Sequence, residues 1–190
     1  MVSSVACYVA FLALLYAERG FELLVSRRNA RLALAAGGVE TGRGHYRAMV
    51  AVHTLFPLAC AAEVVALRRP FPGAFGFAAL GVALAAQGLR WWAAATLGPR
   101  WNTRIIAVAG ERPVMDGPYR YLRHPNYLAV MLEAVSVPLI HGAWLCAIVF
   151  VVANLALLSV RIPAEERAMG EEYALAFAGL PRFIPGGRHA

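Results

Sequence analysis

The sequence predicts an all-α integral membrane protein with five transmembrane helices, and three observations predict it. Of 190 residues, 60% are hydrophobic and only 15% charged, against about 25% charged in ordinary soluble domains. The apolar residues gather into runs as long as the roughly 20 helical residues that cross a bilayer core of about 30 Å. The arginines collect in alternate connections between those runs, the pattern that sets orientation in a membrane.

Three runs stand out, at 2–24, 46–67 and 74–97. A fourth apolar region, 127–160, is too long for one span and is interrupted at Pro138, His141 and Gly142. It divides into spans 127–140 and 143–160, a helical hairpin. Pro138 is tolerated near the end of the first arm, and Gly142 supplies turn conformations that larger residues avoid. A short amphipathic helix over 164–177 follows. No basic residue precedes Arg19 and no small-residue cleavage site is clear, so the first run reads as a retained anchor. No internal repeat or linker is visible, and residues 1–190 read as a single domain.

All 18 basic residues are arginine, which with plentiful Ala, Gly and Pro fits a GC-rich genome. The first, third and last polar segments carry four, five and four of them: Arg27, Arg28, Arg31 and Arg43; Arg100, Arg104, Arg112, Arg120 and Arg123; Arg161, Arg167, Arg182 and Arg188. The second connection has only Arg68 and Arg69, and the hairpin turn has none. This asymmetry predicts an N-terminus outside, a C-terminus in the cytoplasm, and all long polar segments on the cytoplasmic face. The net charge of +7 points to anionic lipid headgroups and not to nucleic acid, because the arginines flank apolar runs and form no basic arm. Cys7, Cys60 and Cys146 lie in apolar runs and suggest neither a disulfide framework nor a metal site. There is no Gly-rich phosphate loop, nucleophile elbow or His-Glu-x-x-His zinc motif.

The densest polar stretch is Gly117-Pro118-Tyr119-Arg120-Tyr121-Leu122-Arg123-His124-Pro125-Asn126-Tyr127, running straight into the fourth span. Pro125 suits a first helical turn, which places His124 at the cap and turns free backbone donors toward the cytoplasm, where they attract carboxylate or phosphate. Arg123 adds charge, and Tyr119, Tyr121 and Tyr127 add rings for stacking on a flat ligand. The same residues also suit an interfacial belt that anchors the helix. Asn154, Arg161 and Glu165 share one face of the fifth helix if it continues through Pro163, and Glu166, Glu171, Glu172 and Tyr173 follow. A solvated face with surface ion pairs is the other reading of that pattern. Among ionisable residues inside spans, Glu63 and Arg90 lie near span ends and can snorkel, whereas His53 and Glu133 lie deeper and are candidates for chemistry or for joining helices.

With Arg123-His124-Pro125-x-Tyr127 entering a hairpin, followed by Arg161 and Glu165-Glu166, the chain resembles the isoprenylcysteine carboxyl methyltransferase family of integral membrane enzymes. Arg28-Asn29, Gly44-His45-Tyr46, Met49-Val50, His53, Trp101-Asn102-Thr103, residues 159–163 and Arg182-Phe183-Ile184-Pro185 make it similar to the bacterial branch that O-methylates long-chain alkylpyrones and alkylresorcinols. The resemblance implies S-adenosylmethionine as cofactor, held by the half 98–190 through Tyr119, Tyr121, Arg123, His124, Pro125, Tyr127, Glu165 and Glu166. It also implies a lipophilic substrate taken from the bilayer of a bacterial inner membrane, with His53, Arg161 or Glu133 orienting its hydroxyl or taking its proton. Carboxyl methylation of an isoprenylcysteine or small prenylated thiol is the alternative enzymatic reading. A membrane scaffold without catalysis, and a nicotinamide-dependent reductase with a related helical core, are the others.

Overall fold

The computed structural model describes residues 2–183; Ile184, Pro185 and Arg188 of the sequence motifs lie outside the described residues. Five helices carry the fold: α1 (Val2–Ala35), α2 (Arg43–Ala66), α3 (Ala74–Leu97), α4 (Pro125–Leu139) and α5 (Trp144–Ala176). Of these, α2, α3 and α5 are long and apolar enough to cross a membrane. The first helix continues past the predicted end at residue 24 and carries Glu18, Arg19 and Glu22 within it. The fourth has 15 residues, about 22 Å of helix, shorter than a core of about 30 Å.

Two features correct the sequence expectation. A two-stranded antiparallel ribbon joins β1 (Val39–Thr41) to β2 (Ile105–Ala107), with Glu40 opposite Ile106. The fold is therefore helical with one short ribbon, which ties the connection after α1 to the connection after α3. The amphipathic segment 164–177 is not a separate helix: α5 runs on through Pro163 and breaks only at Gly170, whose φ of 78° and ψ of −169° suit a residue without Cβ.

The helices meet where the sequence permits close approach. The buried face of α3 is Gly76, Ala79, Ala83, Ala86, Arg90 and Ala93, a small-residue stripe that lets α4 pack against it. A Cβ on Gly76 would lie 2.7 Å from the Ile140 carbonyl oxygen. One core cluster joins all five helices or their ends through Tyr8, Leu12, Cys60, Val64, Ala83, Val137 and Phe150. Where α4 tightens after Pro138, His141 N–H turns to the Pro138 carbonyl, and the Val137 carbonyl accepts from the Tyr8 hydroxyl at 3.0 Å.

Glu63 does not snorkel. It is 8% exposed and accepts from the backbone N–H groups of Leu145 (3.2 Å) and Cys146 (2.8 Å) at the start of α5, while Arg69 donates to it at 2.9 Å. A carboxylate from α2 thus satisfies orphan donors of another helix and complements the positive end of its dipole.

Candidate functional site

The site is assembled around a cavity of about 920 Å³, near the upper end of the roughly 300–1,000 Å³ of small-molecule sites. Its walls come from α1, α2 and α3 on one side, α4 and α5 on another, and the connection 97–114 between them.

On the α4 and α5 side, Pro125 occupies the first turn of α4 with His124 as its cap. The predicted helical face of α5 holds through Pro163, so Arg161 and Glu165 both reach Tyr127. Arg161 Nε donates to the Tyr127 hydroxyl at 2.8 Å, and that hydroxyl donates to Glu165 Oε2. Arg161 Nη2 also donates to the Thr103 carbonyl at 2.6 Å, so the guanidinium fixes α5 to the connection after α3. Arg161 is 4% exposed, and its Nη1 has no hydrogen-bond partner among the described residues; neither has Asn126 Oδ1. Both residues line the cavity, so a donor and an acceptor are available there to a ligand.

Tyr119, Tyr173 and Phe177 supply rings around these groups, with Tyr173 and Phe177 centroids 4.5 Å apart. Burial, then the charge of Glu165, pushes the Tyr119 phenol above its ordinary range and keeps it protonated. The turn that carries Tyr119 depends on Gly117, whose φ is 54° and whose added Cβ would meet Thr96 Oγ1 at 2.3 Å. Arg123 lines the cavity and donates through Nε to the Leu180 carbonyl at 2.6 Å. Its backbone N–H and that of His124 donate to the carbonyls of Pro181 and Arg182. The 180–182 segment is therefore strapped across the entrance to α4. His124 Nε2 lies 3.0 Å from Glu166 Oε1, and Arg182 donates to the same carboxylate at 3.0 and 2.6 Å.

The predicted residues thus separate. Tyr119, Arg123, His124, Tyr127, Arg161, Glu165 and His53 line the cavity together. Pro125 is buried behind the wall, Tyr121 is 56% exposed and does not line it, and Glu166 is engaged by His124 and Arg182. Glu133 faces a smaller void of about 20 Å³ that it shares with Arg19, His53 and Asn154.

On the α1, α2 and α3 side, His53 Nδ1 is 2.8 Å from the Met49 carbonyl. A carbonyl only accepts, so Nδ1 carries the proton and Nε2 keeps its lone pair. Beside it is a charged cluster. Glu22 on α1 receives both Nε and Nη2 of Arg90 on α3, at 2.7 and 2.6 Å, and Arg19 Nη1 at 2.7 Å. Arg19 Nη2 reaches Gln87 at 3.0 Å and Glu133 at 2.8 Å; Gln87 and Trp91 in turn donate to Glu18. Glu18, Arg19 and Glu22 were absent from the sequence candidates. Their signal was available: three charges on one turn of a predicted span, where ionisable groups are costly and usually functional.

The Trp101-Asn102-Thr103 motif falls on the connection that roofs the cavity and is held there by α1 and α2. Asn29 Nδ2 donates to the Trp101 carbonyl at 2.8 Å, Ser26 Oγ donates to Asn102 Oδ1 at 2.8 Å, and Tyr46 Oη lies 3.2 Å from Thr103 Oγ1. Among the described residues no His, Cys, Asp or Glu group could hold a metal ion.

Comparison with known proteins gives this geometry a family. A model described as the isoprenylcysteine carboxyl methyltransferase (ICMT) family matches residues 79–171, which include Arg123 through Tyr127, Glu133, Arg161, Glu165 and Glu166. The chain is similar to the uncharacterized protein YpbQ of Bacillus subtilis (strain 168), 37% identical over 164 residues, covering 86% of this chain and 96% of that one. It is also similar to an uncharacterized protein of Haemophilus influenzae, 25% identical over 158 residues, covering 83% and 91%. With its apolar helices and its match across α3, α4 and most of α5, the chain belongs to the isoprenylcysteine carboxyl methyltransferase family of membrane proteins.

Proposed function

We propose that the protein uses S-adenosylmethionine to O-methylate a lipophilic substrate at the cytoplasmic membrane face, the substrate being a long-chain alkylpyrone or alkylresorcinol. The observation that carries this reading is that one cavity is lined both by the Tyr127, Arg161 and Glu165 group and by His53. A water-soluble cofactor and a lipid can meet there. The donor set fits the cofactor: guanidinium groups of Arg123 and Arg161 for its carboxylate, Glu165 and Asn126 Oδ1 for its ammonium or ribose hydroxyls, and the rings of Tyr119, Tyr173 and Phe177 for adenine. When bound, it supplies an electrophilic methyl group on a sulfonium.

The chain's own residues do the rest. His53 Nε2 accepts the proton of the substrate hydroxyl, and its bond to Met49 holds the ring in the basic tautomer. Glu133 acts through Arg19, which it holds beside the same void as His53. Walls from three sides limit water and fix orientation, the main sources of rate in a displacement at carbon. The arginine asymmetry supports an N-terminus outside and a cofactor side facing the cytoplasm.

The lone pair on His53 Nε2 favours a neutral hydroxyl over the carboxylate of a prenylated cysteine. A hydroxyl must lose a proton to become an effective nucleophile, whereas a carboxylate is already ionised and needs no base. The test is methyl transfer in proteoliposomes from methyl-labelled S-adenosylmethionine to an alkylresorcinol and, separately, to a prenylated cysteine. An alkali-stable aryl ether is expected; label found only in an alkali-labile ester would overturn the reading.

A further inference from the structure

Arg90 is the more deeply buried guanidinium of the charged cluster, its side chain 7% exposed against 16% for Arg19, and one of its nitrogens is left over. Its Nε and Nη2 form a bidentate pair with Glu22. Its Nη1 is buried and has no hydrogen-bond partner among the described residues. A guanidinium is fixed in plane by such a pair, so the spare N–H groups cannot rotate elsewhere without breaking it. Arg90, Glu22 and His53 all line the large cavity. His53 offers a lone pair on Nε2, and Arg90 offers a donor.

We propose that Arg90, locked by Glu22, is a specificity-determining residue that donates through Nη1 to a second oxygen on the substrate ring, while the hydroxyl to be methylated lies at His53. This rests on the O-methylation reading and assigns the residue that recognises the second ring oxygen, which both proposed substrate classes carry. A hydroxyl gives its proton to an acceptor, and the neighbouring ring oxygen, hydroxyl or carbonyl, accepts from a donor; the cavity presents one group of each kind. A ring with one oxygen would satisfy His53 and leave the guanidinium N–H groups without a partner, and a site built around a buried donor discriminates strongly against the analogue that lacks the acceptor. Glu22 belongs to the same device: it holds the plane of Arg90 and offsets its charge, so that the donor meets a neutral acceptor without becoming a general anion trap.

The test compares a long-chain alkylresorcinol with the alkylphenol of the same chain, which differs by one hydroxyl. Affinity is measured on cofactor-free protein in detergent, and kcat/KM is measured with S-adenosylmethionine. Wild-type protein is expected to prefer the resorcinol by about 10- to 100-fold in both, beyond the factor of two that its duplicate hydroxyl gives. In Arg90→Lys, which keeps a charge for Glu22 but loses the second arm, the preference should shrink to a few-fold. The double variant Glu22→Gln with Arg90→Met removes both charges together and should behave alike, which covers the case in which Arg90→Lys does not fold. Equal affinities for the two lipids in wild type, as expected if Nη1 only binds water, would overturn the proposal, as would a preference that survives in both variants. If neither ring is methylated although the cofactor binds, the O-methylation reading itself fails; methylation of both rings without preference removes the role of Arg90 alone.

Discussion

Arg161 on α5 donates to the hydroxyl of Tyr127 on α4 at 2.8 Å, and the same hydroxyl passes its own proton toward Glu165. One phenol therefore joins a cation to an anion between two helices, through residues that are 34 apart in sequence. Tyr127→Phe removes the shared atom and keeps the ring that stacks on His124. Loss of a hydrogen bond to charged groups is expected to lower stability by about 1.5–3 kcal/mol. Thermal unfolding in detergent measures that, and calorimetry should show weaker cofactor binding in the same variant.

Glu63 gives the opposite dissociation of effects. It caps α5 but does not line the large cavity. Glu63→Ala leaves two backbone donors and Arg69 without their acceptor, with an expected cost of about 1–3 kcal/mol. Cofactor affinity of the folded fraction should stay within about twofold of wild type, because nothing in the cavity wall is altered. Unfolding and binding measured on one preparation check both halves.

Arg182 is half exposed and paired with Glu166, so solvent screens much of that bond. Arg182→Ala is expected to cost less than about 1 kcal/mol of stability. Its effect should appear in kinetics: loosening of the 180–182 strap over Arg123 and His124 is expected to raise the cofactor dissociation rate several-fold. Stopped-flow displacement measures the rate, and raising the salt concentration should move wild type toward the variant.

His53→Asn keeps a hydrogen-bonding ring substitute beside Met49 but offers no comparable base. Methyl transfer to the hydroxyl substrate should fall by about 10²–10⁴-fold, with cofactor affinity nearly unchanged. A wild-type rate in single-turnover assays would remove His53 as proton acceptor.

Much of the α4 and α5 side of the cavity was legible because it depends on local rules. Pro125 marks the first turn of α4, as proline does where the N–H would be unbonded anyway. Arg161 and Glu165 are four residues apart, so a continuous helix must bring them to the same neighbour. Pro163 left that continuity open, and α5 carries through it. The α1 side was less legible. Hydropathy treated residues 2–24 as an anchor, while the partners that make Glu18, Arg19 and Glu22 tolerable, Gln87, Arg90 and Glu133, lie on other helices and become visible only in the packed structure. The β1–β2 ribbon was hidden for a similar reason: three-residue strands carry no usable alternation, and their pairing is non-local. Tyr121 and Glu166 illustrate a further limit, since the motif and the family resemblance put them near the site without saying which way each turns.

The central claim is that S-adenosylmethionine is held beside Tyr127, Arg161 and Glu165, and calorimetric titration of the cofactor into detergent-purified protein tests it most directly. Arg123→Ala serves as the paired variant, because its side chain is 26% exposed and its loss should leave the fold intact. Saturable binding to wild type, weakened about tenfold or more in the variant and not reproduced by a nicotinamide dinucleotide, is the predicted result. Absence of binding in a folded wild-type sample, or equal binding by the variant, would contradict the account.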